Sequence, residues 1–305
     1  MEDPANRENH SHNHHHEHHH MGGNNLRVAF FLNATFTVIE LVGGILTNSI
    51  AIMSDALHDL GDSLSLGVAW YLEKVSKKAP DHKFSYGYGR FSLLGALLTS
   101  MVLIVGSVII LMNAIPRILE PQPVHPEGML GFAILGIVVN GVAVLRLRKS
   151  HSFNEKMAAW HLLEDVLGWV AVLVVSIVLL FYDLPILDPI LSLAITFYVL
   201  FNVGKNLKKI FRVLLQGVPT HLSVADLENE LADIEGVVRA YHTHIWSLEG
   251  SRNLLSTHLV VDENVSREQV IHIKEEAIQR MEVYDIDHVT LQIDYPEENN
   301  AFCSY

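Results

Sequence analysis

Residues 50–72 read IAIMSDALHDLGDSLSLGVAWYL, an apolar stretch long enough to cross a bilayer as a helix. It nevertheless holds four ionisable residues, Asp55, His58, Asp59 and Asp62. A charge at mid-membrane costs about 2.5–3.5 kcal/mol, so such side chains face a partner or a water-filled path. His58 and Asp62 stand four residues apart and therefore share a helix face, where they can bind one ion together. Asp55 lies on roughly the same face, where it supports the ligands from behind or stands at the entrance to the site.

A second apolar stretch, at 157–181, repeats this arrangement with His161 and Asp165. Two helices that each present one imidazole and one carboxylate supply two nitrogen and two oxygen ligands. This set suits tetrahedral Zn²⁺ better than the octahedral oxygen sites of Mg²⁺ or Mn²⁺. A polar contact between two helices without an ion is the plainer alternative. Two copies of H-x-x-x-D in two apolar segments favour a shared metal ion.

Apolar blocks of this length recur along the first two thirds of the chain. Half of all residues are hydrophobic and only 18% are charged, whereas an ordinary soluble chain has about 25% charged residues. Short connections between the blocks predict a compact, all-α six-helix membrane bundle over residues 26–217. The blocks are at about 26–46, 50–72, 91–115, 128–147, 157–181 and 189–206.

The basic residues predict the orientation of this bundle. They cluster in the connections after the second and fourth blocks and in the segment after the sixth, whereas the opposite side offers only Arg117. Because basic loops stay on the cytoplasmic side, we expect both termini in the cytoplasm of a multi-pass cell-membrane protein.

The composition changes after Pro219. Residues 220–305 hold five basic and 17 acidic residues and so carry most of the net charge of −13. Their pattern predicts an αββαβ order, and hence a small ferredoxin-like or metallochaperone-like α+β domain over 218–296, followed by a polar tail at 297–305. The predicted elements are a helix at 223–233, strands at 237–247 and 253–262, a helix at 266–281 and a strand at 286–294, with Ser223 and Ser266 as helix caps.

The N-terminal segment, residues 1–25, is polar and rich in histidine. Such a tract cannot bury a core, so we expect it to be disordered in the cytoplasm. An expression tag is one interpretation. Asn13 and Glu17 interrupt the histidine run, which favours a natural metal-collecting tail, since neutral imidazoles bind divalent late metals. Its histidines are His10, His12, His14, His15, His16, His18, His19 and His20.

Composition and missing motifs argue against several classes of function. The net negative charge makes nucleic acid an unsuitable partner. A single cysteine, Cys303, excludes a disulfide framework and thiolate-rich metal sites. The sequence has no G-x-x-x-x-G-K-[ST] motif for an ATP-driven pump and no H-E-x-x-H helix for an intramembrane metallohydrolase.

Further motifs accompany the two H-x-x-x-D pairs: Glu40-Leu-Val-Gly-Gly, Ser49 to His58, Tyr86-Gly-Tyr-Gly-Arg90, Asp188-Pro-Ile-Leu-Ser and His244-Ile-Trp246. With them the sequence resembles the zinc-exporting branch of the cation diffusion facilitators over nearly all of residues 26–295. The resemblance implies a homodimer that exchanges a cytosolic divalent metal for protons, in the bacterial inner membrane. It also implies a transport site made of His58, Asp62, His161 and Asp165, and a preference for zinc.

The resemblance implies further metal ligands outside the membrane. In the cytoplasmic domain these bind a regulatory zinc ion, although Tyr241 stands where the family usually has histidine. In the loop after the second helix, Asp81 and His82 fall where some relatives bind another ion. For the cytoplasmic domain, ordinary surface histidines on a polar sheet face are the alternative. The candidate ligands of the cytoplasmic domain are His242, His244, His258, His288 and Asp294.

Together these features predict a secondary active transporter, not an enzyme, that exports Zn²⁺ against H⁺ by alternating access and needs no organic cofactor. Histidine and aspartate must be deprotonated to bind a metal and can take up protons once it leaves, because free imidazole titrates near pH 6.5. Rocking of the bundle would expose the site to each side in turn. A membrane-anchored zinc sensor or chaperone without flux is the alternative.

Overall fold

A computed structural model describes residues 23–76, 78, 80–147 and 153–296. The histidines of the N-terminal tail and Cys303 lie outside these residues. Each of the six predicted apolar blocks is a helix. The bounds are α1 (Gly23–Thr47), α2 (Ile50–Ser76), α3 (Phe91–Leu119), α4 (Pro126–Leu147), α5 (Phe153–Phe181) and α6 (Leu187–Leu214).

The six helices form a domain whose polarity is reversed relative to a soluble protein. Large apolar side chains point outward, as with Met101 at 64% exposed, whereas the hydroxyls of Ser107 and Ser192 belong to fully buried side chains. This pattern is expected where the surrounding solvent is lipid. By length and composition α1, α3, α4, α5 and α6 can each cross a membrane. The exception, α2, is 27 residues long and has acidic residues in its centre.

The helices pack in pairs around α2. α1 lies along α2, α4 along α5 and α3 along α6, and α2 also contacts α3 and α6. Trp169 of α5 is almost fully buried against Ile52 of α2 and Met129 of α4. The ionisable residues of α2 are therefore surrounded by other helices rather than by lipid.

The α+β domain has the predicted αββαβ order. It consists of α7 (Val224–Ala232), β1 (Val237–Ser247), β2 (Asn253–Val261), α8 (Arg267–Glu282) and β3 (Ile286–Asp294). Both predicted caps are confirmed, because the Ser223 and Ser266 hydroxyls accept hydrogen bonds from the first turns of α7 and α8.

The three strands lie in the order β1-β2-β3, with β1 and β2 antiparallel and β2 and β3 parallel. Leu255, Leu259 and Ile273 belong to the core between the sheet and the two helices. Strand residues between the core positions, such as His258, lie on the opposite face because side chains alternate along a strand. This face carries the polar candidates of the domain.

Candidate metal centre

His58 lies where α2 meets α5. Its Nε2 atom is 3.8 Å from Oδ2 of Asp62 and 3.9 Å from Oδ1 of Asp165. Zinc bonds of about 2.0–2.2 Å place two ligand atoms of one tetrahedral ion about 3.4 Å apart. The imidazole therefore lies within about half an ångström of the required separation from each of the two carboxylates.

His161 belongs to α5, one turn before Asp165, and its side chain lies outside the described part of the structure. Its role as the fourth ligand stays a prediction. With the side chains in their present positions, the described residues contain no group of three or more His, Cys, Asp or Glu side chains arranged to hold a metal ion. His58, Asp62 and Asp165 therefore have to move closer together to share one ion.

The centre is partly accessible. The Asp165 side chain is 9% exposed, whereas those of His58 and Asp62 are 20% and 29% exposed. Access therefore comes from the Asp62 side, which is the side nearer the C-terminal end of α2. An ion that arrives from there meets Asp62 first and Asp165 last.

A cavity of about 320 Å³ leads to the centre. His58, Asp62 and other residues of α2 lie in its wall. The rest is formed by the first half of α3, as at Ser100, and by residues 199–210 of α6, as at Asn206. α6 runs directly into the α+β domain, so its second half lies on that domain's side of the membrane. The cavity therefore opens toward the α+β domain.

On the other side of His58, α2 and α6 are held together by hydroxyl groups. Ser54 Oγ lies 2.6 Å from Ser192 Oγ, and the Thr196 hydroxyl donates to Ser54 Oγ at 3.5 Å. The two helices are thus closed on one side of the centre and separated by the cavity on the other. These residues were not identified from the sequence, although serine and threonine within predicted membrane helices were the available signal.

Three further carboxyl groups surround the centre. Asp55 is 6% exposed, and its Oδ1 packs 3.4 Å from the position that a Cβ atom on Gly168 of α5 would take. Asp59 is buried and faces Glu40 of α1, which is itself buried. Asn33 of α1 donates to the Asp59 carbonyl at 3.1 Å. Asp55 thus lies between α2 and α5 one turn before His58, and its support of the ligands stays a prediction.

In the α+β domain, four of the five candidate ligands lie close together. His258 Nδ1 is 2.8 Å from Asp294 Oδ2, which also accepts a hydrogen bond of 2.6 Å from the Tyr241 hydroxyl. The Nε2 atoms of His242 and His244 are 3.3 Å apart, and the His242 and His258 ring centroids are 5.3 Å apart. The cluster offers nitrogen and carboxylate donors on one face of the sheet.

A bulge in β1 makes this cluster possible. The strand register shifts between Tyr241 and His244, and His242 has a φ of 51°. A bulge adds a residue to one strand and redirects its side chain. Because Tyr241 pairs with His258 and His244 pairs with Ser256, the extra residue of the bulge places His244 on the face that carries His258.

His288 is not part of the cluster. It pairs with Leu254, whereas His258 pairs with Gln292 four residues farther along β3. The His288 ring instead packs edge-on against Tyr86 of the α2–α3 loop, with 5.7 Å between the ring centroids. In the present arrangement His288 contacts the membrane domain's loop rather than the other candidate ligands.

The Asp81 carboxylate is already used by its own loop. It accepts hydrogen bonds from the backbone N–H groups of Lys83 and Phe84, both at 2.8 Å, and from the Tyr88 hydroxyl at 2.7 Å. These donors, with Tyr88 the strongest, hold the pKa of Asp81 below its usual value. His82 is exposed beside it. A metal ion here would have to compete with these donors, and the loop site stays a prediction.

Fold and centre together define a class: a multi-pass helical membrane protein with an imidazole–carboxylate centre that opens toward a small α+β domain. Residues 26–215 match the model of the cation efflux transmembrane domain, and residues 219–296 match that of the cation efflux protein cytoplasmic domain. The chain belongs to the cation efflux family, and the resemblance to the cation diffusion facilitators is confirmed.

Curated relatives align over nearly the whole chain. The chain is 32% identical to the cadmium, cobalt and zinc/H(+)-K(+) antiporter of Bacillus subtilis over 90% of each protein. It is also 32% identical to the zinc transporter ZitB of Pectobacterium atrosepticum, over 97% of this chain and 92% of that protein. The metal cation efflux system protein CzcD of Cupriavidus metallidurans is 33% identical, over 90% of this chain and 87% of CzcD.

Proposed function

We propose that this protein is a secondary active transporter, not an enzyme, that exports Zn²⁺ from the cytoplasm in exchange for protons. The observation that carries the proposal is the approach of His58 Nε2 to Asp165 Oδ1, 3.9 Å across α2 and α5, at the wall of a cavity. Relatives named as zinc transporters and as a zinc/H(+)-K(+) antiporter support both the cargo and the exchange.

The proposed ligands are His58, Asp62, His161 and Asp165. Two imidazoles and two carboxylates suit tetrahedral zinc. These groups must lose protons to bind the ion, so the same side chains can carry Zn²⁺ outward and protons inward on alternate halves of a cycle. The cavity supplies access from the cytoplasmic side. Separation of α2 and α6 at Ser54 and Ser192 would supply access from the other side.

The surrounding assembly follows from the family. We propose a homodimer in a cell membrane, the inner membrane if the source is bacterial, with both termini in the cytoplasm. The chain divides into a membrane domain at 26–217 and a cytoplasmic domain at 218–296. A regulatory zinc ion binds the cytoplasmic domain at the cluster of His242, His244, His258 and Asp294. No organic cofactor takes part.

Flux measurements test this proposal. Wild type, Asp62→Ala and Asp165→Ala are reconstituted in proteoliposomes with an imposed pH gradient, and Zn²⁺ uptake is followed with an enclosed fluorescent indicator. Asp183→Ala, an exposed aspartate in the α5–α6 loop, is the matched control. We expect zinc flux in wild type and Asp183→Ala that depends on the pH gradient, and loss of flux in the other two.

Other outcomes identify the alternatives. A wild-type protein that binds Zn²⁺ but carries none across the bilayer is a membrane-anchored sensor or chaperone. Flux that persists in both Asp62→Ala and Asp165→Ala places the transport site elsewhere. Flux that is indifferent to the pH gradient removes proton exchange.

A further inference from the structure

The wall that α6 gives to the cavity carries polar groups at successive turns. Asn202, Asn206 and Lys209 all line the cavity. Positions three and four residues apart share one helix face, and seven residues of helix span about 10 Å. Asn202 is partly buried, whereas Asn206 and Lys209 are exposed. The three side chains therefore mark a path from the interior of the cavity to its mouth, with Lys209 outermost.

The inner part of this path suits a hydrated cation. A cavity of about 320 Å³ has room for on the order of ten water molecules at about 30 Å³ each. Amide and hydroxyl oxygens, as in Asn202, Asn206 and Ser100, can replace water around a cation without adding charge. The ion can thus keep a full oxygen shell until it reaches Asp62 and His58.

Lys209 does not fit this pattern. Among the described residues that line the cavity it is the only lysine or arginine. A fixed positive charge at the entrance repels a divalent cation, and the repulsion is felt within a Debye length of about 8 Å at physiological salt. Lys209 belongs to the basic cluster that ends α6, but it is the member of that cluster that lies in the cavity wall.

We propose that Lys209 is an electrostatic brake that limits the rate at which the divalent cation enters the cavity. The lysine lowers the concentration of metal at the mouth and leaves the bound state unchanged, because the ligands lie deeper in the cavity. Because the bound ion is carried across faster than it escapes in this scheme, slower entry raises the cytosolic metal concentration needed for half-maximal transport. The inference rests on the proposed function for the direction of metal movement.

The test compares Lys209→Gln with Lys208→Gln. Lys208 is the neighbouring lysine of α6, is exposed and does not line the cavity, so both variants lose one charge from the same turn. In the proteoliposome assay we expect Lys209→Gln to lower the KM for Zn²⁺ about two- to tenfold at unchanged kcat, since two charges a few ångströms apart in water interact this strongly. Lys209→Arg, which keeps the charge, should retain the wild-type KM.

Salt gives an independent readout. The difference in KM between Lys209→Gln and wild type should shrink as the ionic strength rises, because screening shortens the reach of the charge. Equal KM values for Lys209→Gln and Lys208→Gln, or a KM raised by Lys209→Gln, overturn the proposal. A change in kcat alone also overturns it.

A binding measurement separates this inference from the proposed function. The rate of Zn²⁺ association with the protein in detergent is followed by stopped flow, with a competing fluorescent chelator as the reporter. The rate compared is that of the kinetic phase that Asp62→Ala removes. Faster association in Lys209→Gln than in Lys208→Gln supports the brake even if wild type shows no flux. Equal association rates overturn the brake even if wild type transports. A wild type without such a phase overturns both.

Discussion

The carboxylate of Asp188, in the first turn of α6, accepts a hydrogen bond from the backbone N–H of Ile50, with 2.8 Å between Oδ2 and the nitrogen. Its other oxygen accepts from the Ser49 hydroxyl at 2.5 Å and from the Ala51 N–H at 3.3 Å. The first N–H groups of a helix have no partner within the helix, and a carboxylate satisfies them well. α6 therefore determines where α2, the helix of the metal centre, begins.

Replacing this cap should destabilise the membrane domain. Asp188 is fully buried, so Asp188→Ala leaves the N–H groups of Ile50 and Ala51 without acceptors and without water. We expect a loss of about 2–4 kcal/mol, measured as a lower midpoint of thermal unfolding in detergent. Asp183→Ala, in the exposed loop before α6, should unfold like wild type. Equal midpoints for the two variants would show that Asp188 does not hold α2.

The helices and the αββαβ order of elements along the chain could be predicted from the sequence because they depend on local patterns. Apolar blocks gave α1 to α6, and alternation gave the three strands, since both periods are properties of a short window. The pairing of His58 with Asp165 could also be inferred, because two copies of H-x-x-x-D in two membrane helices are best explained by a metal ion that both helices share.

The rest depends on contacts between distant parts of the chain. The closure of α2 on α6 joins Ser54 to Ser192, and no local pattern gives that pairing. The β1 bulge that brings His244 to the face of His258 is equally hidden, because a regular strand was the expectation for 237–247. His288 shows the reverse case: its motif position favoured a ligand, and its strand register places it against Tyr86.

Packing between α4 and α5 should be sensitive to one methyl group. A Cβ atom at Gly136 would lie 2.2 Å from Cδ2 of Trp169, which is 1% exposed, whereas a Cβ at Gly141 of the same helix would meet nothing within 4 Å. Overpacking a core costs about 1–3 kcal/mol. We expect Gly136→Ala to lower the free energy of unfolding by that amount and Gly141→Ala to leave it unchanged or slightly raised.

The same pair of variants also tests a link to the metal centre. Trp169 lies one turn after Asp165 on α5, so its displacement should shift Asp165 relative to His58. We expect Gly136→Ala to lower zinc flux in proteoliposomes per inserted molecule, with Gly141→Ala as the control. Identical unfolding and flux in the two variants would contradict the packing of Trp169 on Gly136.

Zinc binding by the cytoplasmic domain should depend on His258. With Asp62→Ala as a common background to remove the transport site, His258→Ala should weaken the regulatory zinc at least about tenfold, a typical loss when a metal site is damaged. His272→Ala is the control, because His272 lies on α8 with a side chain 78% exposed. Calorimetric titration of the full chain measures both. Indistinguishable titrations would mean that the cluster holds no zinc.

The loop between α2 and α3 should respond to acid through Asp81. Hydrogen bonds from Tyr88, Phe84 and Lys83 lower the pKa of Asp81. They therefore stabilise the loop fully at pH values above the ordinary aspartate pKa of about 3.9. This stabilisation is lost as the pH falls through the lowered pKa. Tyr88→Phe removes the strongest of them. Amide hydrogen exchange at Phe84, corrected for its intrinsic pH dependence, should then lose protection at a higher pH than in wild type. Tyr86→Phe is the control, because the Tyr86 ring packs on His288, and it should keep the wild-type profile. A shift of equal size in both variants would refute the role of the Tyr88 hydroxyl.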